Sequence, residues 1–122
     1  MIIKNQKYLL IDTERGGIGK QYSLLTVYLA IILNDKIIDE LYLKLIPNDG
    51  ILIVNPESMG INNLDIRNWD GISYNEAGDL IRNFLIKHTE YIDINNKKKY
   101  EKLIPLGQAI AGDIDELCQT VI

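Results

Sequence analysis

Three carboxylates stand out by their positions in the sequence. Asp12 and Glu14 close an apolar stretch that begins at Tyr8, and Asp113 follows a second short apolar stretch far downstream. Side chains two residues apart on a strand point to the same face, so Asp12 and Glu14 can reach one cation. Carboxylate oxygens are the ligands that hard cations such as Mg²⁺ and Mn²⁺ prefer. The spacing therefore predicts a divalent-cation site, although an Asp-x-Glu by itself is common in proteins.

Asp113 completes this site if the short strand before it lies beside the first strand. Three carboxylates at one end of a sheet repel each other unless metal ions neutralise them. Two metal ions about 3.5–4 Å apart can activate a water molecule and stabilise the leaving oxygen in phosphodiester hydrolysis. Two structural alternatives stay open. Asp12 and Glu14 can be a solvated strand end, and Asp113 can be a helix N-cap.

The elements that must position these residues are predicted from the pattern of apolar residues. Residues 8–13 form an apolar run typical of a central strand that is buried on both faces. Residues 23–33 and 36–46 are predicted to form two antiparallel strands, joined by a tight turn at Asn34-Asp35. One parity of the third strand is apolar apart from Asp39, and this parity is expected to face the core. Residues 51–54 are expected to add a short extended piece.

The second half of the chain is predicted to alternate helix, strand and helix. Residues 70–73 are expected to form a loop, and a helix is expected over residues 74–87, with Ser73 and Glu76 as a capping box. Residues 91–102 are expected to form an exposed loop or an irregular helix end, followed by a short strand at residues 103–107. The helix stripe consists of Ala77, Leu80, Ile81, Phe84 and Leu85. A final helix should begin at Asp113, which gives an α/β fold with the order β-β-β-α-β-α.

Composition limits the classes of function. The chain has 122 residues, a net charge of −4 and one cysteine, Cys118, so an intrachain disulfide is excluded. The charge argues against a simple basic module for nucleic acids, but not against a nuclease whose carboxylates hold cations. Neither a signal peptide nor an apolar run of about 20 residues is found, so we expect a cytoplasmic protein without a membrane contact.

The first motif and its context resemble the DnaQ-like (DEDD) 3′–5′ exonuclease family. The matching residues are Asp12-Thr13-Glu14 with Gly16-Gly17 behind them, and residues 55–62 are similar to the family's segment after the third strand. Residues 107–113 are partly similar to the family's second motif. The order of elements agrees over essentially the whole chain.

The resemblance implies a ribonuclease H-like mixed sheet within one exonuclease-like domain, residues 1–122. It implies that Asp12 and Glu14 bind Mg²⁺ or Mn²⁺ and that Asp113 supports a second ion. The segment of Thr13, Arg15, Gly16 and Gly17 is then expected to line the pocket for the 3′-terminal nucleotide.

Two departures from the family pattern matter. In the second motif, Gln108 and Ala109 replace the usual His-Asn pair, and Gly112 replaces an aromatic residue. In addition, only nine residues follow Asp113, so the third motif, with its general base and fourth carboxylate, is missing. His88 cannot be that base, because it precedes Asp113 in the sequence whereas the third motif follows the second. His88 is expected at the surface or at a helix end. The family fold is therefore expected to be truncated at its C-terminal side.

These observations leave alternative functions open. The chain, or a longer protein that contains it, can be an exonuclease acting on single-stranded DNA or RNA 3′ ends. It can instead be an impaired or inactive relative that serves as an interaction module in a larger assembly, or a piece whose missing part completes the site. An exposed edge at the last strand would favour a homodimer or a companion chain. The lysines at 97–99 can be a solvated loop or can touch nucleic acid.

Overall fold

The part of the chain that the structure describes is α/β, with a five-stranded mixed sheet, a long helix and a separate two-stranded hairpin. The computed structural model describes residues 6–18, 21–57 and 69–107. The strands of the sheet stand in the order β4-β3-β2-β1-β7, and β5 pairs with β6. The elements are β1 (Tyr8–Arg15), β2 (Leu24–Leu33), β3 (Lys36–Ile46), β4 (Ile72–Ser73), α1 (Tyr74–Thr89), β5 (Glu90–Ile92), β6 (Lys98–Tyr100) and β7 (Ile104–Leu106).

The first three strands form an antiparallel meander, as predicted. β2 and β3 are joined by Asn34 and Asp35, whose φ angles are 52° and 66°. Positive φ at both central residues is what a two-residue type I′ turn needs, and Asn and Asp tolerate it better than most residues. The turn pairs Leu33 with Lys36 and so sets the register of the long β2–β3 ladder.

β1 lies between β2 and β7, and it runs parallel to β7. The pairing of Tyr8 with Ile104 and of Leu10 with Leu106 confirms that the strand expected near residues 103–107 lies beside the first strand. Pro105 is accommodated there because β7 is the last strand of this sheet among the described residues. The parallel partner requires the chain to cross over between β1 and β7, and α1 belongs to that connection.

The helix begins where the capping signal predicts. Ser73 is the N-cap, and its side chain accepts a hydrogen bond of 3.2 Å from the Glu76 amide. α1 runs two residues beyond the predicted end, to Thr89, whose hydroxyl donates to the Leu85 carbonyl. Its buried face contains Ala77, Ile81 and Phe84. Leu80, expected in the same stripe, is exposed instead.

The core lies between α1 and one face of the sheet. Its buried members are Leu9, Ile11, Leu24, Val27, Leu29, Ile31, Leu43, Leu45, Ala77, Ile81 and Phe84. The sheet residues in this set include Leu9 and Ile11 of β1, which share one parity. Side chains of the opposite parity on β1 therefore point to the other face of the sheet.

Two predictions about the second half are wrong. Residues 91–102 contain the β5–β6 hairpin and not only a loop, because short paired strands there are closed by a turn with Asn96 at φ 61°. Ile72 was expected in a loop but pairs with Leu45 in a short parallel ladder. Gly71 allows this approach, since a Cβ there would lie 2.7 Å from the Leu45 carbonyl carbon. The final helix predicted from Asp113 lies outside the described residues.

Candidate functional site

Asp12 and Glu14 lie on the sheet face opposite α1. Leu9 and Ile11 belong to the core beneath the helix, and the alternation along β1 turns Asp12 and Glu14 to the other side. Asp12 is exposed and Glu14 is half-buried. The two carboxylates thus share a face near the end of β1, as their spacing predicts. This end of β1 is paired with β2, whereas β7 is paired with residues 8–10.

The neighbouring strand supplies the immediate surroundings of this pair. Asp12 is registered with Tyr28 of β2, and Glu14 with Thr26. The Thr26 side chain is buried, whereas the Tyr28 hydroxyl donates a 2.6 Å hydrogen bond to Oε2 of Glu40 on β3. Both residues flank the carboxylates because directly paired residues on adjacent strands point to the same face. The sequence pattern predicted the β2 strand but not which of its residues would stand beside Asp12.

The two carboxylates are electrostatically coupled. Partial burial raises the pKa of Glu14 above its ordinary value, and the negative charge of Asp12 raises the Glu14 pKa further. Both effects disfavour the ionised form of Glu14, because a carboxylate loses hydration on burial and is repelled by a like charge. A divalent cation beside the pair would act in the opposite direction, since it replaces the lost hydration and offsets the repulsion.

A β-bulge ends the regular ladder directly after Glu14. Glu14 is registered with Thr26 but Arg15 with Leu24, so β2 carries one additional residue, Leu25, at this point. A bulge changes the direction of the side chains that follow it, and bulges are frequent next to functional sites. Leu24 thereby enters the core under α1. The Arg15 guanidinium donates from Nη1 to the Tyr22 carbonyl at 2.5 Å, which ties the strand end to the loop.

Gly16 is held tightly by the protein's own backbone. Its amide donates to the Ser23 carbonyl at 2.8 Å, and its carbonyl accepts from the Asn55 amide at 2.5 Å. A Cβ at this position would lie 2.7 Å from Cγ1 of Val54 and 2.9 Å from the Ile53 carbonyl oxygen. The glycine therefore permits a close approach of the segment around Ile53. Its own amide and carbonyl both have backbone partners.

Gly17 has a comparable role against an aromatic ring. A Cβ built at Gly17 would lie 2.5–2.7 Å from the ring of Tyr22. Ser23, next to that tyrosine, is bonded twice to Ile53: its amide donates to the carbonyl at 2.8 Å, and its Oγ accepts from the Ile53 amide at 2.8 Å. The extended piece expected over residues 51–54 is thus anchored to the loop, although it forms no regular strand.

The remaining predicted site residues are separated by the fold or lie outside the described part. Thr13 has the parity of Ile11, so alternation places it on the face opposite the carboxylate pair. Asp113 and the echo of the second motif from residue 108 onward lie outside the described residues. Within residues 6–18, 21–57 and 69–107, no group of three or more His, Cys, Asp or Glu side chains is arranged to hold a metal ion.

Comparison with known proteins adds no relative. No family model matches the chain, and none of the curated proteins matches it either. In the described part of the chain, no helix has the length and apolar character needed to cross a membrane.

Proposed function

We propose that this chain belongs to the DnaQ-like 3′–5′ exonucleases and that Asp12 and Glu14 form the first half of its divalent-cation site. The observation that carries the proposal is the shared face of these two carboxylates at the end of β1, where partial burial and then the charge of Asp12 raise the pKa of Glu14. A pair of acidic groups that repel each other at an accessible strand end is suited to a cation ligand.

The arrangement of strands supports the same proposal. An antiparallel meander of three strands, with β7 added parallel to β1, is the sheet expected of the first part of a ribonuclease H-like fold. The strand that carries Asp12 and Glu14 is flanked by β2 and β7. β7 runs parallel to β1, and its last residue, Leu106, is registered with Leu10, two residues before Asp12.

The donor set fits Mg²⁺ or Mn²⁺. Asp12 and Glu14 provide hard oxygen ligands, although the raised pKa of Glu14 disfavours its ionised form. Asp113 is the proposed third ligand. Bound cations would supply an activated water and stabilise the leaving oxygen of the phosphodiester. The chain's own carboxylates would hold the ions in place, and the Thr26 and Tyr28 side chains would limit their position on the β2 side.

The proposed substrate is a single-stranded DNA or RNA with a free 3′ end. The test uses a 5′-labelled oligonucleotide of each kind, with Mg²⁺ or Mn²⁺, and measures shortening by one nucleotide at a time. We expect the wild type to shorten the strand and Asp12→Ala to lose that activity. Asp35→Asn is the matched control, because it removes one carboxylate at the β2–β3 turn and Asn also tolerates a positive φ.

The outcomes separate activity from ancestry. Metal-dependent shortening that is lost in Asp12→Ala and kept in Asp35→Asn supports an active exonuclease. Shortening by both variants at the wild-type rate would refute the role of Asp12. If the wild type does not shorten the oligonucleotide, the proposed activity of this chain is refuted. The alternative function, an interaction module, is then favoured.

A further inference from the structure

The β5–β6 hairpin is an ordered but uncovered part of the molecule. Its turn is closed by two backbone bonds, from the Asp93 amide to the Lys97 carbonyl at 2.9 Å and from the Asn96 amide to the Asp93 carbonyl at 3.0 Å. Oδ1 of Asp93 also accepts from the amides of Asn95 and Lys97 at 2.9 and 2.8 Å. The turn is thus a three-residue loop that ends in a left-handed residue, a common and well-defined hairpin connection.

Large side chains of this hairpin remain in solvent. Tyr91 is 50% exposed, Ile92 61%, Tyr100 69% and Ile94 100%. An isolated two-stranded hairpin is only marginally stable in water. A fixed turn with several uncovered aromatic and aliphatic side chains is typical of a contact surface.

The lysines of the hairpin divide between its two faces. Tyr91 is paired with Lys99. Lys97 directly precedes β6, and the backbone bond from the Asp93 amide to the Lys97 carbonyl continues the pairing, so alternation turns Lys97 toward the same side. Lys98 lies on the other face opposite Ile92, and its Nζ is 2.7 Å from Oε1 of Glu90. Among the described residues, neither Lys97 nor Lys99 has a carboxylate partner, while the Asp93 carboxylate is occupied by the turn.

We propose that the face formed by Tyr91, Lys97 and Lys99, called here the basic hairpin face, binds single-stranded nucleic acid. Unpaired lysines attract phosphates, and an exposed aromatic ring is a stacking platform for a base. The two lysine ammonium groups are opposite in charge to a phosphodiester, although the chain as a whole has a net charge of −4. The choice of ligand rests on the proposed function, whereas the hairpin geometry does not.

The basic hairpin face lies far from the carboxylate pair. The base of the hairpin adjoins the start of β1, where Nζ of Lys7 is 3.2 Å from Oε2 of Glu101. Glu14 is near the other end of that strand, six residues beyond Tyr8, which is about 20 Å at roughly 3.3 Å per residue. That span corresponds to about six stacked nucleotides at about 3.4 Å each. The hairpin would therefore hold the strand well upstream of its 3′ end.

The test measures binding of a labelled 20-nucleotide oligothymidylate by fluorescence anisotropy, over a range of NaCl concentrations and with EDTA present. EDTA chelates divalent cations, so the measured binding does not depend on metal ions at the carboxylate site. We expect Lys97→Gln/Lys99→Gln to weaken binding about tenfold at low salt. The slope of log K against log salt should fall by about 1.4, which is two phosphates at about 0.7 each. Lys98→Gln is the matched control and should change the affinity less than about twofold, because Lys98 already pairs with Glu90.

A second pair of variants tests the stacking. Tyr91→Leu should weaken binding about fivefold or more, whereas Tyr100→Leu on the other face should leave it unchanged. Thermal unfolding by circular dichroism establishes that each variant is folded. Equal losses for Lys98→Gln and the double variant, or an unchanged salt slope, would overturn the inference.

Other partners are distinguishable outcomes. The inference is overturned if the double variant binds the oligonucleotide normally but no longer binds phosphatidylserine vesicles, or no longer dimerises in sedimentation experiments. It also fails separately from the proposed function. If Mn²⁺ binding and nuclease activity were absent, a loss of oligonucleotide affinity in the lysine double variant, measured in EDTA, would still support the basic hairpin face. If nuclease activity were present and the double variant bound normally, only the hairpin inference would be refuted.

Discussion

Nε2 of His88 lies 2.7 Å from Oδ2 of Asp39 and so connects the last turn of α1 to β3. His88 is buried, its ring centroid is 5.1 Å from that of Phe84, and Nζ of Lys87 adds a 3.0 Å contact to the same carboxylate. Asp39 shares its parity with Leu41, Leu43 and Leu45, which contact the core. The contact with the buried His88 therefore explains why the acidic residue Asp39 occupies the otherwise apolar face of β3.

The Asp39 contacts predict a stability that depends on acid pH. The hydrogen bond from His88 and then that from Lys87 lower the pKa of Asp39 from 3.8 to about 2. A depressed carboxyl pKa stabilises the folded state above pH 3.8, and that contribution is lost as the pH falls from 3.8 towards 2. Asp39→Asn should lower the free energy of unfolding at pH 6, by an amount that shrinks across this window.

Denaturant unfolding at a series of pH values measures that difference. Asp70→Asn is the control, because Asp70 is largely exposed and its ion pair with Lys44, at 3.3 Å, lies at the surface. Its effect should be small, within about 1 kcal/mol. A constant difference between wild type and Asp39→Asn from pH 6 to pH 2 would contradict the role given to the His88 contact.

Glu14 should behave in the opposite way. Because burial and Asp12 raise the pKa of Glu14, its ionised form costs stability at neutral pH. Glu14→Gln should therefore stabilise the metal-free protein above the raised pKa. The gain should be lost as the pH falls to the ordinary value of 4.5. Thermal unfolding in EDTA tests this, with the exposed Glu57→Gln as a control, and a destabilised Glu14→Gln at neutral pH would refute it.

Gly16 should be essential for packing, independently of any substrate. A Cβ would meet Cγ1 of Val54 and the Ile53 carbonyl oxygen inside normal contact distance. Gly16→Ala should therefore cost about 1–3 kcal/mol of stability, as other overpacked sites do. Adding Val54→Ala removes the nearest side-chain atom and should recover part of the loss, which a double-mutant cycle of unfolding free energies detects. Additive effects of the two substitutions would show that the contact is not the cause.

The meander and the helix were predictable because their signals are local. Asn34 and Asp35 specify a tight turn between two apolar runs, and Ser73 with Glu76 marks the start of α1. The short strand β4 was not predictable in the same way. The ladder between Leu45 and Ile72 depends on a close approach at Gly71, which tertiary packing decides.

The candidate site was predictable only in its first half. The spacing of Asp12 and Glu14 placed them on one face, whereas the burial that raises the pKa of Glu14 depends on surrounding chain packing. The place of His88 at the helix end was predicted, but its burial against Asp39 was not. Its one early signal was Asp39, a charged residue on the core parity of β3, which required a partner from an element packed on that face.

The central claim is that Asp12 and Glu14 bind a divalent cation, and calorimetric titration with Mn²⁺ tests it most directly. The account predicts a binding heat for the wild type and for Asp35→Asn, with affinity weakened at least about tenfold in Asp12→Asn and in Glu14→Gln. Binding to the wild type should also strengthen as the pH rises through the raised pKa of Glu14. No binding heat, or equal heats in all four proteins, would contradict the claim.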